Sequence, residues 1–292
     1  MATTPLIVVV GPTASGKTAL GIELAQRYGG EIICADSRTV YCHMDIGTAK
    51  PTIAQRAAVP HHLLDIVEPD QQFTAADFKV HAQQAIDGIA ARGKVPIMVG
   101  GTGLYVDGVV YDYQFGSPAD PAKRRELDAM SVEALQELCK KSNIQLPLNS
   151  GNKRHLVRAI EQGGVNQQRS RSIRSNTIMI GLRVEPEILA QRIAARAQQM
   201  FAEGVVDEAT KLAGRYGWQG EPMSANIYQV IHGFIEGDYD YAETMRRFMQ
   251  SDRQLAKRQM TWFRRNHDVA WVDSPADAIE VADEFVWRQS AA

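Results

Sequence analysis

The stretch Gly11-Pro-Thr-Ala-Ser-Gly16-Lys17-Thr18 constrains this chain more than any other. It fits the phosphate-binding loop at every fixed position, and its setting is right. Leu6 to Val10 reads as a buried strand. Lys17 to Tyr28 reads as a helix, with Leu20 and Leu24 at helical spacing and Gly29-Gly30 closing it. Gly11 and Gly16 permit a tight turn whose backbone N–H groups converge on phosphate oxygens, and the helix start adds positive potential. Lys17 brings a mobile cation, and the Thr18 hydroxyl suits Mg²⁺. Such a loop implies a parallel α/β sheet and a bound di- or triphosphate.

The strand and helix alternation continues. Glu31 to Ala35 reads as a second strand and His62 to Val67 as a third. Thr74 opens a long helix through Ala91, and the strand Val95 to Val99 runs into Gly100-Gly101-Thr102-Gly103. From Asp120 to Gln162 the pattern is of short helices interrupted by Asn149-Ser150-Gly151, without a convincing strand. Thr177 to Val184 reads as a returning strand, followed by helices over 185–203, 205–216 and roughly 241–265. A strand at 269–272 and a helix capped by Ser274 close the chain. The expected fold is a P-loop NTPase-like parallel sheet flanked by helices with a small helical insert domain. Residues 1–111 form the first part of the core, 112–165 the insert, and 166–292 the return to the core with basic C-terminal helices.

Hydrophobic residues make up 45% of the 292 and charged residues 23%, ordinary for a soluble globular protein. No apolar run is long enough to span a bilayer and none resembles a secretion signal, so a cytoplasmic protein without membrane contact is expected. Cys34, Cys42 and Cys139 form no metal-ligand spacing and are expected to stay reduced. Adjacent His61 and His62 would point oppositely on a strand and cannot readily share a metal. The net charge of −2 conceals two basic segments. Between Gly151 and Arg183 seven basic residues accompany one acid, Glu161; between Arg246 and Arg265 seven accompany one acid, Asp252. Arg253, Lys257 and Arg264 fall on one side of a helix beside Trp262 and Phe263. Arg169, Arg171 and Arg174 lie among serines and glutamines. Each segment could meet RNA phosphates or simply face solvent.

The loop alone suggests a nucleotide, yet the rest of a nucleotide hydrolase is missing. The strand at Val95 to Val99 ends in Gly100-Gly101 where a Mg²⁺-binding carboxylate would stand, and no guanine-reading N-K-x-D occurs. The carboxylate instead follows the second strand, at Asp36, on the side where open parallel sheets bind ligands. Asp36 could bind Mg²⁺, accept a proton, or cap a turn with Ser37.

Taken with the loop, Asp36-Ser37 and Tyr41, Gly47-Thr-Ala-Lys-Pro51, Pro60-His-His-Leu-Leu-Asp65, Gly100-Gly-Thr-Gly-Leu-Tyr105 and Ala256-Lys-Arg-Gln-Met-Thr-Trp-Phe-Arg264 resemble the tRNA dimethylallyltransferases. The blocks occur in family order over most of the chain. The resemblance implies transfer of a dimethylallyl group from dimethylallyl diphosphate to N6 of the adenosine beside the anticodon, with Mg²⁺ and without ATP consumption. It implies that Gly11, Thr13, Ala14, Ser15, Gly16, Lys17 and Thr18 hold the diphosphate, with Mg²⁺ on Thr18. Asp36 would take the N6 proton, Thr102 lie near donor and acceptor, and Arg196 clamp the pyrophosphate. The tRNA anticodon stem-loop would meet Asp36, Ser37, Arg38, Thr39, Arg124, Arg154, Arg158, Tyr228, Lys257, Arg258, Gln259, Trp262 and Arg264. A monomer is expected.

Departures from the family pattern fall on the acceptor side. Ile227 stands where the family has glycine, Gly151-Asn152-Lys153-Arg154-His155 replaces an Asn-Asp-x-x-Arg, and the insert is short. Three other functions stay open: an adenylate isopentenyltransferase acting on free AMP or ATP, a small-molecule P-loop kinase, and a non-catalytic RNA-binding module.

Overall fold

The computed structural model describes residues 5–116, 120–164, 170 and 172–290. In chain order the elements are β1 (Leu6–Val10), α1 (Lys17–Tyr28), β2 (Glu31–Ala35), α2 (Ile53–Ala58), β3 (His61–His62), α3 (Ala75–Ala91), β4 (Pro96–Gly100), α4 (Gly103–Val110), α5 (Pro121–Ala129), α6 (Val132–Lys141), α7 (Lys153–Glu161), β5 (Thr177–Leu182), α8 (Pro186–Ala202), α9 (Val205–Tyr216), α10 (Asn226–Ile235), α11 (Tyr241–Phe263), β6 (Val269–Val272) and α12 (Pro275–Ser290).

The six strands form one parallel sheet in the order β3-β2-β4-β1-β5-β6. All five residues of β1 are buried, because helices cover both faces and each side chain of Leu-Ile-Val-Val-Val finds apolar neighbours. Strands later in the chain flank β1 on both sides, β4 on one and β5 on the other. The carboxyl end of β1 is therefore a switch point, where open α/β sheets form a ligand crevice.

Two apolar cores hold this unit together. Ile7, Val9, Leu20, Leu24, Ile97, Leu182, Ala278 and Ala282 join the sheet to α1 and α12. Val40, Tyr41, Met44, Met200, Leu212, Ile227, Ile231 and Phe248 join the loop after β2 to α8, α9, α10 and α11. Each fully buried branched side chain contributes about 1.5–3 kcal/mol relative to exposure.

The chain divides into two compact units, one being Tyr111–Ser172 and the other the remainder. In the smaller unit α5, α6 and α7 are capped by Asp120, Ser131 and Asn152 and close on Leu127, Leu135, Cys139, Leu156, Val157 and Ile160. Arg169 and Arg171 lie outside the described residues. All three cysteines are free, Cys34 and Cys139 buried.

The third strand is shorter than its sequence suggests. After His62, Leu63 and Asp65 take left-handed backbone (φ 64° and 54°), which breaks the extended run before Val67 makes a single bridge to Tyr41. Helices α2, α4 and α10 were not expected. Nearly all of α4 is buried, so it shows no polar face to betray its period; α10 begins at Ala225 with no side-chain cap.

Candidate active site

The loop between β1 and α1 closes through left-handed residues at Ala14 (φ 60°) and Gly16 (φ 95°). This leaves Thr13, Ala14, Gly16, Lys17 and Thr18 facing a cleft of about 410 Å³. Gly11 and Ser15 lie buried beneath it, the Ser15 Oγ with no hydrogen-bond partner. Lys17 donates to the Pro12 carbonyl at 3.1 Å, and burial pushes its pKa down to about 8 against the pull of Asp36. Two arginines of α8 reach the loop: Arg192 donates to the Ser15 carbonyl at 3.0 Å, and Arg196 to the Thr13 hydroxyl. Arg196 Nε is buried and unpartnered. A cationic cradle with unsatisfied polar atoms fits an anionic ligand.

Across the cleft stand the ends of β2 and β4. Asp36 Oδ1 accepts the Arg38 backbone N–H at 2.8 Å, a local turn that orients the carboxylate. The Thr102 hydroxyl accepts the Ser37 N–H at 3.0 Å. Asp36, Ser37, Arg38, Thr39 and Thr102 thus face the cleft together with the loop. Arg38 also donates to the Glu221 carbonyl at 2.7 Å and pairs with its carboxylate at 3.1 Å.

The absence of a carboxylate after β4 has a steric cause. A Cβ on Gly100 would lie 2.0 Å from the Ala35 carbonyl oxygen of the neighbouring strand. No cluster of three or more His, Cys, Asp or Glu residues occurs among the described residues. His62 instead bonds Glu31 at 2.6 Å, and His61 Nδ1 meets the Val59 carbonyl at 2.7 Å. A divalent cation here would rest on the Thr18 hydroxyl and on oxygens of a bound phosphate, a donor set that suits Mg²⁺.

The remaining sequence-derived residues separate into three environments. Lys257, Arg258 and Trp262 line a shallow hollow along α11 with Gln254, Thr261 and Arg265. Arg264 is exposed next to it, but Phe263 is fully buried and presents no surface to a partner. Trp262 is anchored: its Nε1 donates to Asp107 at 2.8 Å, while the ring stays 40% exposed. In the helical unit, Arg124, Arg154 and Arg158 border a hollow of their own. Two of them are ion-paired to Glu161, Arg124 at 3.0 Å and Arg158 at 3.4 Å. Tyr228 and Gln259 require correction as tRNA contacts. Tyr228 is 0% exposed, its hydroxyl bound to Glu208 at 2.8 Å. Gln259 spends its carbonyl oxygen on the Thr13 backbone N–H at 2.8 Å. Ile227 sits in helical backbone with its side chain in the core.

The sequence profile of the IPP transferase family matches residues 39–266, and that of isopentenyl transferase matches residues 4–65. The tRNA dimethylallyltransferase of Streptococcus mutans is 41% identical over 92% of both chains. That of Geobacillus thermodenitrificans is 38% identical over 99% of this chain and 97% of its own. This chain belongs to the tRNA dimethylallyltransferase family. A solved member, the full-length tRNA isopentenylpyrophosphate transferase of Bacillus halodurans, superposes with a TM-score of 0.76 at 36% identity, covering 99% of both chains. A eukaryotic dimethylallyltransferase acting on tRNA shares the fold, with a TM-score of 0.82 over 98% of this chain and 80% of its own at 21% identity.

Three residues of this dimethylallyltransferase cleft escaped the sequence reading. Asp252, on α11, lines the cleft at 4% exposure with Oδ2 unpartnered. Burial raises its carboxyl above the usual range, against Arg196 and Lys17. Arg192 supports the loop from α8. Glu208 accepts the backbone N–H groups of Asp45, Ile46 and Gly47, each at 2.8 Å, and so fixes the Gly47–Pro51 stretch that walls the cleft. Asp252 could have been noticed as the single acid in a run of basic residues, seven positions from Gln259 and hence on its helix face. Glu208 gave no signal, because three backbone donors leave no mark in sequence.

Proposed function

We propose that this chain transfers the dimethylallyl group of dimethylallyl diphosphate to N6 of the adenosine next to the anticodon in tRNA, releasing pyrophosphate. The observation that carries the reading is the cleft itself. The loop, Lys17 and Arg196 form an anion cradle on one side, and Asp36 and Thr102 stand at the strand ends on the other. Family membership fits the same chemistry.

The N6 lone pair forms a bond to the first carbon of the dimethylallyl group as that carbon's bond to the diphosphate oxygen breaks. Pyrophosphate leaves with the electron pair, and the N6 proton passes to Asp36. Lys17, Arg196 and the loop N–H groups stabilise charge gathering on the leaving group. Mg²⁺, held by Thr18 and the diphosphate, would neutralise part of that charge. The Thr102 hydroxyl, by accepting the Ser37 N–H, keeps its own proton for the reacting groups.

The adenine must leave its stack to reach Asp36. Lys257, Arg258 and Trp262 along α11, and Arg124, Arg154 and Arg158 in the helical unit, would hold the anticodon stem-loop by phosphate contacts and stacking. The acceptor places the reaction in the cytoplasm, and one chain carries the full set of groups, so it would act as a monomer. No helix among the described residues is long and apolar enough to cross a membrane.

The test supplies labelled dimethylallyl diphosphate with unmodified tRNA, AMP or ATP. Label on tRNA alone is expected. Label on AMP or ATP but not tRNA would move the reading to a free-nucleotide acceptor, and phosphate release from ATP without label transfer would end it.

A further inference from the structure

Helix α11 meets the phosphate loop with two side chains that the transfer reaction does not use. Gln259 accepts the Thr13 backbone N–H at 2.8 Å, while Arg196 takes the Thr13 hydroxyl. Thr13 is the third residue of the loop, so both its N–H and its hydroxyl are committed to protein. In a loop serving a nucleoside triphosphate, amides at this outer edge are available to phosphate oxygens, with the lysine reaching the β- and γ-phosphates. Gln259 is itself wedged in place, since a Cβ on Gly101 would lie 2.3 Å from its Nε2.

Two turns earlier on the same face stands Asp252, 4% exposed, with Oδ2 buried and unpartnered. Its charge bears on Lys17 and Arg196, the cations that would meet the outermost phosphate. No salt bridge within 4 Å joins Asp252 to either of them among the described residues. Its negative field therefore remains in the cleft rather than being absorbed by a close ion pair. A fixed carboxylate beside a phosphate site disfavours each further negative charge brought towards it.

We propose that Asp252 and Gln259 are specificity-determining residues that limit the phosphate cradle to two phosphates, discriminating against nucleoside triphosphates and tripolyphosphate. Gln259 removes the outer-edge donor a third phosphate would need, and Asp252 repels its charge. The effect falls on binding, before any chemistry, and explains how a complete phosphate loop stays available to a diphosphate donor where triphosphates are abundant. The inference rests on the reading of the loop as a diphosphate site.

The test is calorimetric titration of the full chain with pyrophosphate, tripolyphosphate and ATP, each with Mg²⁺, for the native protein, Asp252→Asn, Asp252→Ser and Gln259→Ala. The native chain is expected to prefer pyrophosphate by about tenfold or more, and the Asp252 variants to shrink that preference by about tenfold, mainly by tightening tripolyphosphate. Gln259→Ala should shrink it less, since only a donor is released. Thermal melting identifies a variant that fails to fold, and the native chain's own preference remains decisive in that case. Equal affinity of the native chain for pyrophosphate and tripolyphosphate, or variants that change both affinities by one factor, would overturn the proposal. No pyrophosphate binding at all would instead overturn the diphosphate reading on which it stands.

Discussion

Gly100, the last residue of β4, lies so close to Ala35 of β2 that an added Cβ would sit 2.0 Å from the Ala35 carbonyl oxygen. The neighbour is strand backbone, held in register by the β2–β4 pairing, and cannot step aside as a flexible side chain could. The position where many P-loop enzymes carry a Mg²⁺-binding carboxylate is thus closed by packing as well as by sequence. Gly100→Asp should cost 3 kcal/mol or more, on the order of severe overpacking, and lower the urea midpoint accordingly. A variant as stable as the native chain would show that the sheet can separate here.

Asp36→Asn keeps the Arg38 turn, because the amide oxygen can still accept its N–H. It removes the proton acceptor. We expect transfer to fall by about 10²–10⁴-fold with tRNA affinity changed less than about threefold. Filter binding and single-turnover label transfer on the same preparation separate the two quantities. Equal loss of both would make Asp36 a scaffold residue.

Much of this arrangement was legible in sequence where local rules apply. The loop from Gly11 to Thr18, the buried strand before it and the caps Thr74 and Ser274 follow from residue type and spacing, and the structure realises them. What stayed hidden depends on contacts between distant segments. Tyr228 reads as an aromatic that RNA could use, yet Glu208, from another helix, takes its hydroxyl into the core. Phe263 and Trp262 are adjacent, and only packing decides that the first is buried and the second half exposed. The basic run around α11 drew attention to its charged face, while its opposite face, carrying Asp252 and Gln259, supplies the cleft wall.

The Glu208 carboxylate gathers three backbone N–H groups and the Tyr228 hydroxyl at one point, all at 2.8 Å. Glu208→Ala strands these donors and should cost about 2–4 kcal/mol, whereas Tyr228→Phe removes one neutral donor and should cost about 1 kcal/mol. If Tyr228 serves only this bond, Tyr228→Phe leaves the KM for tRNA within about twofold of native. A large rise in that KM, with little change in melting temperature, would return Tyr228 to the tRNA surface.

Salt dependence tests the α11 hollow. Each lysine or arginine contacting an RNA phosphate contributes roughly one unit or slightly less to the slope of log affinity against log salt. Lys257→Ala and Arg265→Ala, both from the hollow, should each reduce that slope by about 0.7–1. Arg264→Ala, outside the hollow, should change it less. The reverse order of Arg264 and Arg265 would place the RNA on the other side of the helix end.

Lys17 yields the sharpest pH prediction. Burial lowers its pKa to about 8 from an ordinary value of 10.5, so the folded state binds this proton more weakly than the unfolded chain. Between about 8 and 10.5 the unfolded state carries more protons, and the Lys17 contribution to stability therefore rises with pH. Below about 8 the full cost of a buried charge is present. Lys17→Met should consequently raise the neutral-pH stability of the ligand-free chain, by on the order of 2 kcal/mol, while it abolishes tight pyrophosphate binding. Binding in the native chain should move oppositely to stability, weakening as pH rises through about 8 and Lys17 loses its charge. Melting curves and pyrophosphate titrations across pH 6.5–9.5 read both trends. A variant less stable than native at neutral pH, or pyrophosphate affinity flat across that range, would show that Lys17 keeps its charge without strain.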